Sequence, residues 1–212
     1  MKVIIPFGPP NTGKGTLVSE FLKGREEQYE VLSVGNLLRT EVSNYTELGR
    51  EAKAFMDSGA LVPDRLIIAM VMGKVSQSKK DIFFDGFPRT VGQAKAMLEA
   101  GIKPDLVINL QVEEEVILKR ARDRVICEKC GESYTQESDF KKPKIQGVCD
   151  KCGGNLKQRK DDADENVVKN RLKVYQAETS PVLEILASAN VRICEIDSSS
   201  PTAIEEFKLL IV

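Results

Sequence analysis

The chain has 212 residues, of which 42% are hydrophobic and 30% charged, a composition typical of one water-soluble domain with a substantial core. Its 31 Lys and Arg balance 32 Asp and Glu, so the net charge of −1 gives no global attraction to nucleic acid or to an anionic membrane. It contains no histidine, which excludes Ser-His-Asp and Cys-His catalysis and leaves sulfur and oxygen as side-chain metal ligands.

No apolar run approaches the roughly 18 residues that a membrane-spanning helix needs. The N-terminus has only Lys2 and a short apolar run before Gly8, too little for a secretory signal peptide. We therefore expect a cytoplasmic protein with no membrane partner. In that compartment the five cysteines suit a metal site better than a disulfide framework.

Short apolar runs alternate with longer helical patterns along most of the chain. The predicted strands are 2–7, 31–34, 82–84, 106–110 and 191–196. The predicted helices are 15–23, 47–58, 64–77, 91–100, 113–122 and 166–188. Because continuous apolar runs such as 106–108 are typical of strands buried on both faces, the pattern predicts an α/β fold with a five-stranded parallel sheet flanked by helices.

Two segments interrupt this alternation. Residues 35–63 form a mostly helical excursion between the second and third strands. Residues 125–162 are polar, rich in Gly, Lys and Cys, and without helical periodicity. We therefore predict a core made of residues 1–34, 64–124 and 163–212, with two inserted subdomains.

The stretch FGPPNTGKGT, residues 7–16, follows the first predicted strand and opens the first predicted helix. In this context a glycine-rich turn lets successive backbone N–H groups converge on an anion, and the helix N-terminus adds partial positive charge. Lys14 is expected to reach the transferred phosphates, and Thr16 to supply a hydroxyl near a metal. Asn11 tolerates the left-handed backbone that such a loop needs. The alternative is an ordinary strand-to-helix turn.

A second polar cluster comes where the third predicted strand runs into FFDGFPRT, residues 83–90. Asp85 directly follows the buried strand, at the carboxyl edge of the sheet where ligands bind in open α/β folds. Its carboxylate is expected to hold Mg²⁺ through water, and Arg89 to clamp a phosphate bidentately. The alternative is a Gly-Pro turn with a surface arginine.

Four of the cysteines form two Cys-x-x-Cys-Gly segments separated by eighteen residues. This spacing predicts four thiolates placed tetrahedrally around Zn²⁺, from Cys127, Cys130, Cys149 and Cys152. Such a site has no open position, so its role is to hold together a segment with little apolar core. Two disulfides are the alternative, and sulfur ligands alone leave iron or cobalt open. Cys194 is expected to be a buried small apolar residue.

Four segments together resemble one family. GPPNTGKGT, SVGNLLR (33–39), DGFPRT (85–90) and RKDD (159–162) occur in the order and spacing of adenylate kinase, and the resemblance covers essentially the whole chain. It implies a P-loop nucleoside monophosphate kinase fold and reversible Mg²⁺-dependent transfer of the ATP γ-phosphoryl group to AMP, giving two ADP. Many bacterial members are similar in carrying zinc in a lid with like-spaced cysteines.

The resemblance also implies roles for matching positions. The implied ATP-binding residues are Gly8, Asn11, Thr12, Gly13, Lys14, Gly15, Thr16, Arg120, Arg124 and Tyr134. The implied AMP-binding residues are Val34, Arg39, Val62, Gly86, Arg89, Gln93, Arg159 and Arg171. The implied catalytic residues are Lys14, Arg89, Arg124, Arg159 and Arg171, with Asp85 and Thr16 in the Mg²⁺ environment. Asp161 and Asp162 resemble the acidic pair that binds ribose or orients arginines. Residues 35–63 then form a mobile AMP-binding subdomain, residues 125–162 a zinc-binding lid, and the protein is a monomer.

Several positions depart from the family pattern. Asn11 replaces a glycine of the loop, Val34 a threonine, and Asn36 an aspartate. Asp123 and Val125 flank Arg124 where the family commonly has glycine and a second arginine. These differences bear on rate and on nucleotide preference.

Three alternatives stay open at this point. A related kinase for UMP, CMP or GMP would share the phosphate-binding arginines. A zinc-ribbon nucleic-acid binder would use the lysines around the cysteines, but it would need excess basic charge and aromatic stacking residues. A non-catalytic ATP-binding scaffold would bind nucleotide without turnover.

Overall fold

The structure, a computed structural model, describes residues 1–136 and 141–212 and is built around a five-stranded parallel sheet. The strands are β1 (Val3–Phe7), β2 (Tyr29–Ser33), β3 (Asp81–Asp85), β4 (Leu106–Gln111) and, last in the chain, β8 (Ile193–Asp197). They lie in the order β2-β3-β1-β4-β8, and every neighbouring pair is parallel. The prediction of a five-stranded parallel sheet is confirmed.

Helices cover both faces of this sheet. One face carries α1 (Lys14–Leu22) and α10 (Ala203–Ile211). The other carries α4 (Asp64–Val75), α5 (Val91–Glu99) and α9 (Val182–Ser188). The remaining helices are α2 (Val34–Ser43), α3 (Glu47–Ser58), α6 (Glu114–Asp123), α7 (Lys160–Ala163) and α8 (Glu165–Val174), followed by a π-helical turn at Tyr175–Thr179. No helix among the described residues is long and apolar enough to cross a bilayer.

Strand β1 shows why this sheet is buried on both sides. Its side chains alternate between faces, as the two-residue period of a strand requires. Val3, Ile5 and Phe7 pack into the cluster under α4, α5 and α9, whereas Ile4 packs into the cluster under α1 and α10. Each fully buried side chain of this size contributes about 1.5–3 kcal/mol of hydrophobic stabilisation, which holds the strand at the centre of the sheet.

The two inserted segments take different forms. Helices α2 and α3 pack against each other after β2. Residues after α6 form a second, antiparallel sheet of β5 (Arg124–Cys127), β6 (Ser133–Thr135) and β7 (Leu156–Gln158), in the order β6-β5-β7. We refer to residues 125–162 as the lid segment and to residues 35–63 as the helical insert.

The observed elements differ from the predicted ones in several places. The helix predicted over 166–188 is interrupted by the π-helical turn and by Ser180-Pro181, because proline has no amide hydrogen to continue the ladder. Val34, predicted as the end of a strand, instead begins α2. Helix α10 was not among the predicted helices.

Candidate nucleotide site

The loop between β1 and α1 adopts the backbone that a phosphate cradle needs. Gly8, Asn11 and Gly13 have φ angles of 134°, 61° and 95°, and Gly13 caps α1. A Cβ at Gly8 would lie 2.6 Å from the Leu110 carbonyl oxygen, so only glycine fits where the loop crosses β4. The left-handed backbone expected at Asn11 is confirmed. The loop thus turns the N-terminus of α1 towards the carboxyl edge of the sheet.

Lys14, the first residue of α1, directs its amine into this loop. Its Nζ donates hydrogen bonds to the carbonyl oxygens of Gly8 (2.8 Å) and Pro9 (2.5 Å) and to Thr12 Oγ1 (3.2 Å). Burial lowers the pKa of Lys14 to about 7, although Asp85 partly opposes this effect. The amine is therefore a cation whose charge depends strongly on a nearby anion.

Arg120 braces the same loop from α6. Its Nη1 donates to the Thr12 carbonyl oxygen (3.1 Å) and to Ser198 Oγ (3.1 Å), and its Nη2 donates to the Ser198 carbonyl oxygen (2.7 Å). Burial lowers the pKa of Arg120, and Asp197 partly opposes the shift. The turn after β8 therefore helps to position a side chain expected to bind ATP.

Three arginines and two aspartates form an ion-pair cluster beside the loop. Arg124 donates from Nε (2.8 Å) and Nη2 (2.6 Å) to Asp162 Oδ2, and the Asp162 side chain is fully buried. Arg171 Nη1 lies 3.0 Å from Asp161 Oδ2 and 3.2 Å from Asp162 Oδ1. Arg159 Nε donates to Asp161 Oδ1 over 2.9 Å. The two carboxylates thus hold three guanidinium groups close together against their mutual repulsion.

Burial and these contacts together determine the pKa shifts in the cluster. Burial lowers the pKa of Arg124 to about 10, and Arg159 adds to the effect. Burial also lowers the pKa of Arg171. For Arg159, burial is outweighed by Asp161 and Asp162, which raise its pKa. A concentration of buried cations of this kind is suited to binding a polyanion.

A second pair of arginines comprises Arg39, on α2 of the helical insert, and Arg89, which follows β3. Arg39 Nη2 donates to Asn36 Oδ1 over 2.5 Å, and burial, followed by repulsion from Arg159, lowers the pKa of Arg39 to about 9. Arg89 Nε donates to the Gly86 carbonyl oxygen over 3.0 Å. A Cβ at Gly86 would lie 2.6 Å from Arg89 Nη2, so this glycine makes room for the guanidinium group.

Oxygen ligands suited to Mg²⁺ lie at the strand ends. Asp85 ends β3, and its Oδ2 accepts a hydrogen bond from Ser33 Oγ at the end of β2 over 2.8 Å. Thr16 lies in the first turn of α1 and, like Asp85, lines the same cavity. A carboxylate and a hydroxyl are hard oxygen donors, so this pair fits the ion that accompanies ATP.

The four predicted cysteine ligands converge in the lid segment. All four sulfur atoms lie within 4.8 Å of one another, with Cys127 and Cys152 at 3.4 Å and Cys130 and Cys149 at 3.6 Å. All are free thiols. A tetrahedron of Zn–S bonds has edges of about 3.8 Å, so the arrangement fits a four-sulfur metal site. Cys194 is half-buried beside the apolar cluster under α1 and α10, less buried than predicted.

Most of the predicted nucleotide-site residues line one cavity of about 560 Å³. The exceptions are Thr12 and Asp162, both buried, which support Lys14 and the arginines from behind. The lining set contains Gly8, Asn11, Gly13, Lys14, Gly15, Thr16, Val34, Arg39, Val62, Asp85, Gly86, Arg89, Gln93, Arg120, Arg124, Tyr134, Arg159, Asp161 and Arg171. The fold therefore brings the predicted ATP-binding residues and the predicted AMP-binding residues to one cavity.

Sequence reasoning missed two residues that position the site. The Ser198 carbonyl oxygen accepts a hydrogen bond from Arg120, and the Asp64 carboxylate accepts hydrogen bonds from Gln93 and Thr90. The only signal at Ser198 is the run of serines after the last strand, and Asp64 reads as an ordinary acidic residue in the first turn of a helix. Tyr134, predicted to contact ATP, also places its hydroxyl 3.4 Å from the sulfur of Cys149.

Together, a glycine-rich loop at the end of a central parallel strand, a lysine at the start of the following helix and arginines around one cavity define a P-loop phosphotransferase. A family model described as Adenylate kinase matches residues 6–191. The adenylate kinase of Carboxydothermus hydrogenoformans is 43% identical over 197 residues, covering 90% of this chain and 89% of that protein.

Further relatives give the same result. The adenylate kinase of Caldicellulosiruptor saccharolyticus is 44% identical over 190 residues, covering 87% of this chain and 86% of that protein. That of Hydrogenobaculum sp. is 38% identical over 215 residues, covering 99% of this chain and 100% of that protein. The chain belongs to the adenylate kinase family and is a nucleoside monophosphate kinase, which confirms the family, fold and enzyme class predicted from the sequence.

Proposed function

We propose that this chain reversibly transfers the γ-phosphoryl group of ATP to AMP, giving two ADP, with Mg²⁺. The observation that carries the proposal is the placement of cations around one cavity. Lys14, Arg120 and Arg124 surround the glycine-rich loop, whereas Arg39 and Arg89 lie towards the helical insert. Arg159 and Arg171 line the same cavity, and, besides burial, repulsion from Arg159 lowers the pKa of Arg124 in the first set and of Arg39 in the second.

On the donor side, the loop amides and the N-terminus of α1 bind the ATP phosphates. Lys14 supplies the cation that bridges the phosphates nearest the reaction. Arg120 and Arg124 flank ATP, and Tyr134 of the lid segment borders the same space. The proton on Lys14 is held most firmly when phosphate replaces the loop carbonyls as its partner, because a charged acceptor makes the stronger hydrogen bond.

On the acceptor side, Arg39 and Arg89 bind the AMP phosphate. Val34, Val62, Gly86 and Gln93 form the surroundings of its base. Arg159 and Arg171 stabilise the transferred group, with Asp161 and Asp162 holding their guanidinium planes. Phosphoryl transfer needs chiefly positioning and charge neutralisation, which a chain without histidine supplies.

Asp85 and Thr16 hold the magnesium ion, which neutralises charge on the ATP phosphates when bound. Water must be excluded, since it competes with AMP as the acceptor. The lid segment (125–162) and the helical insert (35–63) are the parts that close over the cavity. In support, a Cβ at Gly131 of the lid segment would lie 3.3 Å from Asn36 Nδ2 of α2, so the two inserts meet above the site.

The four cysteines bind a structural Zn²⁺ that holds the lid segment together. Among the described residues of this segment, the buried members of its apolar cluster are Val125, Cys127, Tyr134 and Cys149, a small core for a segment of this length. Asp123 and Val125, which depart from the family pattern, have structural roles in the lid segment and beside it. Asp123 Oδ1 accepts from the Gln136 backbone N–H over 2.8 Å. We further propose a cytoplasmic monomer that binds neither nucleic acid nor membrane.

The test is coupled turnover of ATP and Mg²⁺ with AMP, CMP, UMP and GMP offered in parallel. Rapid ADP formation with AMP alone is the expected result, and Lys14→Met is expected to abolish it while the melting temperature stays near that of the wild type. Preference for another monophosphate would keep the reaction class but assign a different nucleotide as the phosphoryl acceptor. Nucleotide binding without turnover by the wild-type chain would refute the proposal in favour of a scaffold.

A further inference from the structure

Gln93 lines the cavity, yet its side chain is held at both ends. It is 2% exposed. Its Oε1 accepts a hydrogen bond from the Arg89 backbone N–H over 2.7 Å, and its Nε2 donates to Asp64 Oδ1 over 2.8 Å. A backbone N–H can only donate and a carboxylate only accept, so these two partners together permit one orientation of the Gln93 amide.

Asp64, the first residue of α4, is itself held against the start of α5. Its Oδ2 accepts from Thr90 Oγ1 over 2.6 Å, and Thr90 Oγ1 accepts from the Gln93 backbone N–H over 3.1 Å as the cap of α5. A Cβ at Gly92 would lie 2.7 Å from Asp64 Oδ2, so the absence of a side chain there makes room for the carboxylate. The acceptor offered to Gln93 therefore has a defined position.

The fixed amide has a chemical consequence for any base that meets it. A glutamine amide has two N–H donors and two acceptor lone pairs, and the two partners use one of each. One donor and one acceptor remain for a base that meets the amide, and an adjacent donor and acceptor are what glutamine uses to pair bidentately with adenine. On its N1 edge a 6-oxo purine carries a carbonyl oxygen and an N1–H donor where adenine carries an amino group and an acceptor nitrogen, so the same pairing on that edge requires the amide to turn over.

We infer that Asp64 is a positioning residue that selects a 6-amino purine as the phosphoryl acceptor, by holding the Gln93 amide in one orientation. The inference rests on the proposed AMP site. Turning the amide over would set its NH₂ group against the Arg89 N–H and its oxygen against the Asp64 carboxylate. Both contacts are repulsive, and neither leaves the buried groups a hydrogen-bond partner.

The probe is the pair AMP and IMP, which differ only at the base edge in question. We would measure kcat/KM for both with the full-length enzyme and saturating ATP and Mg²⁺. The wild type is expected to prefer AMP. Asp64→Ala is expected to lower the AMP:IMP ratio roughly fivefold or more, since one good bidentate pair discriminates between bases by about 1–3 kcal/mol. Asp64→Asn should lower the ratio less, because its amide can offer Gln93 either an acceptor or a donor.

Thr90→Ala is the matched control. It removes the cap of α5 and one partner of Asp64, but leaves the bond between Gln93 and Asp64 in place. It is expected to lower the melting temperature and to change the AMP:IMP ratio much less than Asp64→Ala does, whereas a purely structural role of Asp64 would lower both kcat/KM values equally. Should Asp64→Ala not fold, the near-isosteric Asp64→Asn decides.

The outcomes separate the two proposals. An unchanged AMP:IMP ratio in the Asp64 variants that fold overturns the inference while leaving the proposed function intact, and so does a wild type that uses AMP and IMP equally. A wild type that phosphorylates neither nucleotide defeats the proposed function itself. For any variant too slow to assay, calorimetric dissociation constants for AMP and IMP give the corresponding preference in binding.

Discussion

Lys141 of the lid segment donates a hydrogen bond to Ser19 Oγ of α1 over 2.6 Å, although the two residues are 122 positions apart in the chain. The same amine pairs with Glu132 Oε1 at 2.5 Å and lies 5.9 Å from the centre of the Tyr134 ring. The lid segment is thus tied to the core helix that begins at the phosphate loop.

Removing this tie is expected to weaken ATP binding. Lys141→Ala should raise the KM for ATP roughly fivefold, the effect of one hydrogen bond of about 1 kcal/mol, with a smaller change in the KM for AMP. Steady-state kinetics with each substrate varied in turn measures this. Lys144→Ala, an exposed lysine on the same segment, is the control. Equal KM values for ATP in both variants would show that the Lys141 contact does not hold the lid.

Asp162→Ala is expected to damage both stability and activity. The carboxylate is fully buried and faces Arg124 and Arg171, so its loss leaves cations without their partner. Breaking a buried ion pair in this way costs about 3–5 kcal/mol. Chemical denaturation and turnover would be measured together. Asp57→Ala, which removes an exposed carboxylate paired with Lys53, should change neither. A variant as stable as the wild type would contradict the role given to Asp162.

The fold is expected to lose stability in acid because of Asp161. Burial raises the pKa of this carboxyl group, but Arg159 and Arg171 outweigh burial and lower it from 3.8 to about 2. The unfolded chain therefore takes up the proton first as the pH falls. The stabilising effect is complete above about pH 4 and disappears as the pH approaches 2. The free energy of unfolding, measured from pH 5 to 2, should fall less steeply in Asp161→Asn than in the wild type. Parallel curves for the two proteins would exclude Asp161 as a source of the loss of stability in acid.

ATP binding is expected to take up a proton at pH 8.5. The pKa of Lys14 is about 7 because of burial, so its amine is mostly neutral at that pH. Phosphate oxygens beside it favour the charged form and raise the pKa. Calorimetry in two buffers with different ionisation enthalpies gives the number of protons. Lys14→Arg keeps a permanent charge and should show almost no uptake. Identical binding heats for the wild type in both buffers would argue against a neutral lysine.

Metal removal is expected to destabilise the lid segment first. Cys127→Ser with Cys130→Ser should abolish metal binding and lower the melting temperature by about 5 °C or more, the shift for a loss of roughly 2 kcal/mol in a chain of this size. Metal content and thermal unfolding would be measured on the same samples. Cys194→Ser is the control, because this cysteine lies on β8, outside the four-sulfur cluster. Loss of metal with no change in melting temperature would count against a structural site.

The parallel sheet was predictable because its strands can be recognised from short apolar runs in the local sequence. β1 is a continuous apolar run and β4 begins with one, and both strands are buried on both faces over most of their length. The loop after β1 needs glycine at Gly8 and Gly13 because of backbone geometry and close approach. The spacing of the cysteines was equally informative, since four like-spaced thiols have few other uses. Within the lid segment, however, the strands of three or four residues were not predicted, because so short an element has no periodicity to detect.

The amino-acid sequence by itself thus determined the family, the sheet, the loop, most of the residues that line the cavity and the four cysteines that cluster in the lid segment. Only the tertiary structure decided which polar side chains hold those residues in place. The hydrogen bonds from Arg120 to Ser198 and from Gln93 to Asp64 join segments that are far apart in the chain. The physical reason is that an apolar core follows from a repeating pattern, whereas a hydrogen bond between distant residues depends on where the packed elements bring two particular atoms together.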